Sequence, residues 1–598
     1  MKQALLFFFA LVSVTCTMRL SAQTDFKLEQ TNYVGALSSD PAADWTSGWT
    51  NFDPENTPYP DPTDLNTLNG MNGSLPVPGE LNITSTLTLD AGKVYALSGM
   101  IVVRSGGKLV IPAGTIIRAF ADLNSNPKNY ASIVVERGGQ IEIDGEYNNP
   151  VIITSAHPAG SRHRGDWGGL LIAGRSNHNL LNGTDNNNVQ MEGFNNVTFD
   201  NTLARFGGTD PNDNSGYIHY LRVEFGGVAF EVNKEINAVT FGAIGAATEI
   251  DHIQVSHSGD DSFEWFGGNV NATHLIAWKG TDDDFDTDNG FGGVVQFGIA
   301  VKDSSLYDPS YTLPSGSSTS EGFESDNEAT GTAGVKPYTN AVFSNMTMVG
   351  PVPVGAKYSQ MNSTTKAGFR RGARIRRNSS LRVVNSIFMG YRNFLMIDGD
   401  SCVRNTNYPE ALALVNPNTP VDQLTKEISF NNNLIVNTSS AFTSSTDTTA
   451  NGLVEVARGA GSEAKLDAIN NWARQSGPLA NNIDPVPFIP STVLINPVSA
   501  SKAPNFRPVV GSPALHGTNF TNNPTLNNFN LEHTSYVGAL SPDLNSDWTR
   551  GWTNFDPNNA SYAEPTDETT LNGMLPGLPV QGELDITSTL TLDPAQVY

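Results

Sequence analysis

Cysteine is almost lacking from this chain of 598 residues, which has only Cys16 and Cys402. Residues 1–22 are typical of a secretory signal peptide, with an apolar core over 5–14 and small residues before a cleavage site that follows Ala22. Its removal leaves one thiol, so burial, backbone pairing or metal ions must hold the mature fold without an internal disulfide. In an alternative interpretation Cys16 is a lipidated cysteine. The sequence therefore predicts a protein that is secreted or displayed on the outer cell surface.

Long apolar runs and positive charges are also scarce. No segment after the signal approaches the ~20 apolar residues that span a bilayer, so we predict no transmembrane helix. The chain has 60 acidic and 35 basic residues and a formal net charge of −25, which disfavours nucleic acid as a partner. Divalent cations, a polysaccharide or a cell-surface partner suit this charge better.

Helical periodicity is the third scarcity. Short segments rich in β-branched residues recur instead, and they predict strands within 97–117, 133–143, 219–225, 250–256, 273–278, 294–301, 341–349, 381–389 and 428–436. Only residues 464–474 have the pattern of an amphipathic helix. Regularly spaced strands without intervening helices exclude a βαβ sheet and favour an all-β solenoid with a few short helices and inserted loops.

Two acid-rich turns lie one short repeat apart. The segments 252–268 and 274–290 align with a spacing of 22 residues, about one coil of a β-solenoid. Stacking would bring their carboxylates to one edge, where like charges coexist only with a cation, a basic partner or shared protons. We predict a calcium site there, with ligands from Asp260, Asp261, Asp282, Asp283, Asp284, Asp286, Asp288, Glu324 and Asp326. An EF-hand is disfavoured, because Gly290 comes one place late and no Glu closes a twelve-residue loop.

Histidine and asparagine recur at one position of the repeat. His252 and His274 precede apolar residues in their segments, as Asn345, Asn385 and Asn432 do in later ones. Amides stacked at a coil corner can hydrogen-bond along the solenoid axis. We therefore predict that the two histidines stack at a corner; catalysis is the alternative.

Arginines and tryptophans lie near the acidic edge in the sequence. Arg374 and Arg376 belong to a group of five arginines within residues 370–377. They could pair with acids of neighbouring coils, or grip the carboxylate of a uronate. Trp265 and Trp278 flank the edge and are candidate platforms for a glycan, although we favour stacking inside the core for such aromatic residues.

A long duplication divides the chain. Residues 26–95 recur without gaps as residues 529–598, at an offset of 503. We predict a signal peptide at 1–22, a Trp-rich junction or cap segment at 23–95, a solenoid body at 96–527 and a second copy of the junction at 528–598. The second copy either begins a further unit of a truncated tandem protein, which we favour, or caps the body.

The residues at 35–52, 258–268, 280–290 and 322–327 resemble an uncharacterised family of exported proteins from Bacteroidetes-type bacteria. The resemblance covers nearly all of the mature chain. It implies a right-handed parallel β-helix of the pectate-lyase-like kind, often delivered by type IX secretion. It implies no established activity.

Two hypotheses for function follow. The leading one is a non-enzymatic β-helix protein that calcium stabilises and that binds a glycan or a partner surface. The alternative is a polysaccharide lyase or glycoside hydrolase for an acidic glycan, with Asp260, Asp261 or Asp283 as acid–base groups or metal ligands and Arg374 or Arg376 as base or clamp. Asp260-Asp261 is similar to the Asp-Asp motif of polygalacturonases, but their Asn-Thr-Asp and Gly-His-Gly signatures do not accompany it.

Overall fold

The computed structural model describes most of residues 28–520. The predicted signal peptide and the second copy at 528–598 lie outside the described residues. So do the segments 72–73, 75–78, 123–128, 181–188, 195–201, 232–233, 309–318, 354–359, 416–426, 437–453, 458–462, 476–480, 485–491, 499, 516–517 and 519.

Two stacks of strands form the body. The larger stack, sheet 1, contains Asp64–Asn69, Thr86–Thr88, Val94–Ser98, Lys108–Pro112, Ile116–Asp122, Asn129–Tyr130, Gln140–Asp144, Val151–Ser155, Gly216–Glu224, Glu249–Ser256, Asn271–Trp278, Val294–Val301, Val342–Val349, Arg382–Val384, Ile387–Met389, Ser429–Asn431, Leu434–Val436 and Asn482–Asp484. The smaller stack, sheet 2, contains Glu80–Ile83, Met100–Val103, Ser132–Val135, Gly169–Ala173, Val239–Gly242, Phe263–Phe266, Phe285–Asp288, Phe323–Ser325, Arg371–Ile375, Asn393–Asp398 and Val454–Ala457. Both stacks begin before residue 96, within the segment predicted as a junction.

The pairing within both stacks is parallel, apart from one short contact of Asn129–Tyr130 with the end of Ile116–Asp122. Glu249–Ser256 pairs in parallel with Asn271–Trp278, which in turn pairs in parallel with Val294–Val301. Ile250 lies opposite Ala272 and Ile253 opposite Leu275, so the register is the predicted 22 residues. The chain is an all-β parallel β-helix, as the strand spacing and the resemblance implied.

The remaining elements are short. Antiparallel pairs join Val189–Gln190 with Arg205–Phe206, Val228–Glu231 with Lys234–Ile236, and Leu494–Asn496 with Asn505–Pro508. The described helices are Ser363–Gly368, Asp400–Asn405, Pro409–Leu412 and Glu463–Ala473, with 3-10 turns at Pro41–Ala43 and Pro513–Leu515. Glu463–Ala473 is the helix predicted at 464–474. None of the described helices is long and apolar enough to cross a membrane.

Aromatic residues stack inside the coils. Phe263 lies 5.6 Å from Phe285, ring centre to ring centre, and Phe285 lies 5.4 Å from Phe323. These residues occupy equivalent inward positions of successive sheet 2 strands, and all are fully buried. Because side chains alternate along a strand, the residues next to them face outward. The packed interior therefore fixes which residues of sheet 2 reach the outer surface.

One corner of the coil has a left-handed backbone. Residue φ is +58° at His252, +59° at His274 and +56° at Asn345. The rings of His252 and His274 stack 4.2 Å apart. The Nδ1 atoms of both rings approach the carboxylate of Asp251, at 2.8 Å for His252 and 2.7 Å for His274. Asparagine and histidine tolerate this backbone better than most residues. The predicted corner stack is confirmed.

An extended segment covers the outside of sheet 1. We call residues 28–61 the strap. Its Trp45 ring lies 4.9 Å from the ring of His274, and its Phe52 ring lies 4.8 Å from that of Trp278. Near its end, the Tyr59 hydroxyl donates a 2.8 Å hydrogen bond to buried Glu224. The strap thus crosses successive coils on their outer face.

Candidate functional site

The outward positions of sheet 2 carry a row of charged residues. Glu264 pairs in register with Asp286, Asp286 with Glu324, and Glu324 with Arg374. Parallel strands lie about 4.8 Å apart, so three acids follow one another at that spacing before the first base. The register that stacks the phenylalanines inside therefore forces like charges together outside.

A second row of acids lies in the turn that precedes these strands. Asp261 Oδ1 accepts a hydrogen bond from the backbone N–H of Asp283 at 2.8 Å, and Asp283 Oδ1 accepts one from the N–H of Glu321 at 2.5 Å. Glu321 Oε2 then accepts one from the N–H of Arg371 at 2.8 Å, and its other oxygen pairs with the Arg371 guanidinium at 2.7 Å. Each carboxylate thus accepts a hydrogen bond from a backbone N–H of the next coil. These hydrogen bonds connect successive coils, so the turn acids have a structural role.

Acids of these two rows and acids next to them in the sequence form a cluster that we call the acidic face: Asp260, Asp261, Glu264, Asp282, Asp283, Asp286, Asp288, Glu324 and Asp326. Three overlapping triads of its oxygen atoms lie within 4.8 Å of one another: Asp260, Asp261 and Asp282; Asp261, Glu264 and Asp286; and Asp283, Asp286 and Glu324. Asp261 and Asp286 each belong to two triads. The structure brings most of the predicted metal ligands together.

The electrostatics of this face oppose ionisation of every acid at once. Burial, followed by repulsion from neighbouring carboxylates, raises the pKa well above its usual range for Asp260, Asp261, Glu264, Asp283 and Asp286. Burial, followed by Asp326, raises the pKa of Asp288 to about 8. The carboxylates must therefore share protons or neutralise one another through a cation.

The donor set fits a hard divalent cation. All members of the triads are carboxylates, and calcium prefers six to eight oxygen ligands in flexible geometry. Among the described residues, Oδ1 of Asp286 is buried and has no hydrogen-bond partner. A buried acceptor in this condition is rare in native proteins, and this one lies in the residue that two triads share.

Arginines close one end of the acidic face. Arg374 contacts Glu324 at 3.2 Å and Asp398 at 3.1 Å. Arg376 contacts both Glu324 and Asp326, with its Nε 2.7 Å from Asp326. Although burial opposes the charge, Glu324 and its neighbours raise the pKa of both guanidinium groups. The arginines are held in ion pairs, as the first of the two interpretations proposed, and a guanidinium stabilised in its charged form is a poor base.

Asp284 belongs to a different environment. It is fully buried and pairs with Lys302, equally buried, at 3.2 Å. Burial raises the pKa of Asp284 to about 7 although Lys302 lowers it. Asp284 belongs to none of the three triads, and its pairing with Lys302 sets it apart from the other predicted ligands.

The two tryptophans do not offer a surface to a glycan. Trp265 is fully buried and stacks 5.3 Å from Phe291 inside the coil. Trp278 is fully buried beneath Phe52 of the strap. The prediction of sugar platforms is wrong, and the alternative of core stacking describes Trp265.

Three acids at this face were missing from the prediction. Glu264 lies 22 residues before Asp286, so the repeat itself could have assigned it to the site. Its carboxylate accepts a hydrogen bond from the side chain of Asn237. Glu192 and Glu235 raise the pKa of Asp260, and burial followed by Glu235 raises that of Glu192 to about 7. Glu192 lies in a turn and Glu235 in a short antiparallel pair outside the two stacks, where the coil repeat does not signal their position.

A parallel β-helix with a charged outer face defines the class of protein, and comparison with known families gives the same class. The model of the pectate-lyase-like β-helix domain family matches residues 81–475. The chain belongs to this family. No curated protein and no solved structure matches it.

Proposed function

We propose that this protein is an exported or cell-surface β-helix protein with a structural or binding role, and that calcium bridges the carboxylates of its acidic face. One observation carries the proposal: three oxygen triads overlap through Asp261 and Asp286, with their atoms within 4.8 Å of one another. Such a cage brings ligands from separate coils to shared ions, so that cation binding would tie the coils together.

The separation of the carboxylates supports a binding role over hydrolysis. Inverting glycosidases keep their two carboxyl groups about 6.5–9.5 Å apart to admit a water molecule, and retaining enzymes keep them about 5–5.5 Å apart. Within each triad, one oxygen atom of each carboxylate lies within 4.8 Å of the others, which is shorter than the spacing of the inverting enzymes. The turn acids Asp261 and Asp283 are also occupied with backbone N–H groups of the next coil.

The partner would be an acidic glycan or an acidic cell-surface molecule. A calcium ion held by carboxylates on one side can take further oxygen ligands on the other, because its coordination number is high and variable. The negative charge of the chain disfavours direct binding of a polyanion, so the cation would be needed for the contact.

Asp286 and Asp288 provide a matched pair of variants. They lie two residues apart on the same strand and face outward, but only Asp286 belongs to a triad. Asp286→Asn and Asp288→Asn change the net charge equally. Loss of a ligand should therefore be separable from loss of a negative charge.

The experiment is thermal unfolding and calorimetric titration of the full chain with calcium or with chelator. A ligand present at a hundredfold excess over its Kd stabilises the folded state by about 2.7 kcal/mol. We expect calcium to raise the unfolding midpoint of the parent chain and of Asp288→Asn, and to lose most of this effect in Asp286→Asn. Equal midpoints with calcium and chelator, or an undiminished shift in Asp286→Asn, would contradict the proposal.

A second candidate function is cleavage of an acidic polysaccharide by a lyase or hydrolase mechanism. The observation that favours it is the pKa of Asp260, Asp261 and Asp283, which burial and neighbouring carboxylates raise well above the usual range, in the direction that a general acid requires. The test is incubation with acidic and neutral polysaccharides, with calcium and with chelator. Product formation that Asp283→Asn abolishes would establish the enzyme, and absence of products leaves the binding role.

A further inference from the structure

The strap recognises the β-helix through its backbone as well as its side chains. Gln254 is fully buried; its side chain accepts a 2.7 Å hydrogen bond from the N–H of Asn51 and donates one of 2.7 Å to the carbonyl of the same residue. Gln296 does the same with Glu29, at 2.7 Å in both directions. Two glutamines on sheet 1 therefore clamp the strap at two points, as a neighbouring strand would.

Aromatic side chains fill the space between these clamps. Trp49 is fully buried, with its ring 5.4 Å from that of His252, and Trp45 covers His274. The indole N–H of Trp45 donates to the carbonyl of Ala36 at 2.8 Å, and that of Trp49 donates to Trp45 at 2.6 Å. Large buried aromatic residues with satisfied polar atoms are the usual energetic centres of an interface.

The duplication preserves the face of the strap that makes these contacts. Of the 34 residues from 28 to 61, 12 differ in the copy 503 residues later and 22 are identical. The differing positions are Gln30, Asn32, Ser39, Pro41, Ala42, Ala43, Ser47, Glu55, Thr57, Pro58, Pro60 and Asp61. Nine of the twelve are exposed in the first copy and none is buried.

The buried positions show the opposite behaviour. Leu28, Thr31, Val34, Gly35, Ala36, Leu37, Thr46, Trp49 and Pro54 are buried against the β-helix, and each recurs unchanged in the second copy. The clamped residues Glu29 and Asn51 recur as well, as Glu532 and Asn554. A segment that served only as a linker would have no reason to keep the residues at its buried positions while those at its exposed positions change.

We infer that residues 531–564 are a second strap, which binds the outer face of sheet 1 on another copy of this chain. The contacts on that face define what can bind there. Gln254 and Gln296 need a backbone N–H and carbonyl to pair with, and the rings of His252 and His274 need two indole rings to pack against them. The strap face of each chain is covered by its own first strap. Occupation by the second strap therefore requires that a first strap is displaced, and in our inference the second strap comes from another chain.

Covalent connection favours the first strap. It continues directly into the strand Asp64–Asn69 of the first coil, so its local concentration is high, in the millimolar range typical of short connections. Substitutions that weaken binding of the first strap alone should therefore let the second strap of another molecule bind in its place. The resulting change in oligomeric state can be measured.

The first test uses the full chain with Trp45→Ala/Trp49→Ala and a matched variant that also carries Trp548→Ala/Trp552→Ala. We expect the double variant to dimerise or form longer assemblies with rising concentration in analytical ultracentrifugation. The quadruple variant should stay monomeric at the same concentrations. A double variant that remains monomeric throughout would overturn the inference.

The second test measures binding of labelled synthetic peptides to the quadruple variant. A peptide of residues 529–564 should bind within about tenfold of the affinity of a peptide of residues 26–61. Removal of both indoles from the peptide should weaken binding by roughly 700-fold, since two hot-spot residues contribute about 2 kcal/mol each and 1.4 kcal/mol is tenfold. Binding of the 26–61 peptide without binding of the 529–564 peptide, or binding of neither, overturns the inference.

Loss of two tryptophans could unfold the β-helix, so we add a pair of variants that each lose fewer indoles. Trp45 is only half-buried, and Trp45→Ala alone leaves Trp49 and both glutamine clamps in place. The comparison of Trp45→Ala with Trp45→Ala/Trp548→Ala repeats the assembly test with less perturbation. Circular dichroism and unfolding midpoints of each variant verify that the compared chains are folded.

Discussion

Removal of Lys302 should destabilise the β-helix in a way that depends on pH. Lys302 and Asp284 are fully buried and 3.2 Å apart, and the Lys302 ammonium also donates to the carbonyl of Asp282. Breaking a buried pair by deleting one partner costs about 3–5 kcal/mol, because the other charge remains unpaired. We therefore expect Lys302→Met to lower stability by about this amount at pH 8, where Asp284 of the parent is mainly ionised. In the variant, Lys302 no longer lowers the pKa of Asp284, so this group must stay charged without a partner or take up a proton.

The sign of the pH effect follows from the pKa of Asp284. Burial raises this pKa to about 7 in the folded chain, above the usual value of about 3.9 in an unfolded chain. The folded state thus binds the proton more tightly, and this contribution to stability is present in full below about pH 4 and is lost as the pH rises through 7. At pH 5, Asp284 is protonated, so Lys302→Met should be much less harmful there.

The assay is thermal unfolding at pH 8 and pH 5 of the parent, Lys302→Met, Asp284→Leu and the double variant. For a unit of roughly 500 residues, 1 kcal/mol corresponds to about 1 °C in the midpoint, so Lys302→Met should lower it by about 3–5 °C at pH 8. The double variant should recover most of the loss, since apolar residues can replace a buried pair at little cost. An equal loss at both pH values, or a double variant as unstable as the sum of the single ones, would refute this account.

Three further substitutions test the corner, the interior and the coil spacing, each by the unfolding midpoint. Asp251→Asn should destabilise at neutral pH, because the hydrogen bonds from His252 and His274 hold the pKa of Asp251 below its usual range despite burial; the difference from the parent should vanish as the pH falls through that low pKa. Phe285→Ala should cost about 3–5 kcal/mol, since it opens a cavity in the aromatic stack; a cost below 1 kcal/mol would contradict the stack. Gly293→Ala should prevent normal folding, because its methyl group would lie 1.9 Å from the carbonyl oxygen of Val270. Gly334→Ala has open space but a left-handed backbone with φ of +87°, so it should fold with a loss of about 1–2 kcal/mol.

The fold was predictable because one repeat of the sequence is unusually regular. The 22-residue spacing from His252 to His274 corresponds to one coil without insertion, so the register of two strands could be read directly and was confirmed. The strands at 381–389 and 428–436 were located correctly but are each interrupted at the corner. Regular stacking makes such positions equivalent, and sequence spacing alone then determines contacts along the axis.

The candidate site was predictable only in part, for the same reason. Asp261, Asp283 and Asp286 follow from the register, whereas Glu192 and Glu235 reach Asp260 from segments without periodicity. The direction of a side chain was harder still, since the sequence does not say whether Asp284 or Trp265 faces inward. The position of the strap was beyond prediction, because its partners lie far away along the chain, 59 residues for Arg118 with Tyr59 and 165 residues for Tyr59 with Glu224.

Two columns of polar residues show why the acidic face needs something from outside the chain. At the corner, the amide of Asn432 donates to the carbonyl oxygen of Asn385 at 2.5 Å, and Gln296 donates to Asn345 at 3.0 Å. An amide is both donor and acceptor, so a stack of amides can satisfy itself. An ionised carboxylate only accepts, and a stack of Glu264, Asp286 and Glu324 has no donors within it. The stacking geometry that suits a column of amides therefore leaves the column of acids dependent on arginine, protons or a cation. Among the described residues of this column, arginine pairs with the end at Glu324 and Asp326. The triads around Asp286 are then the place where calcium would act.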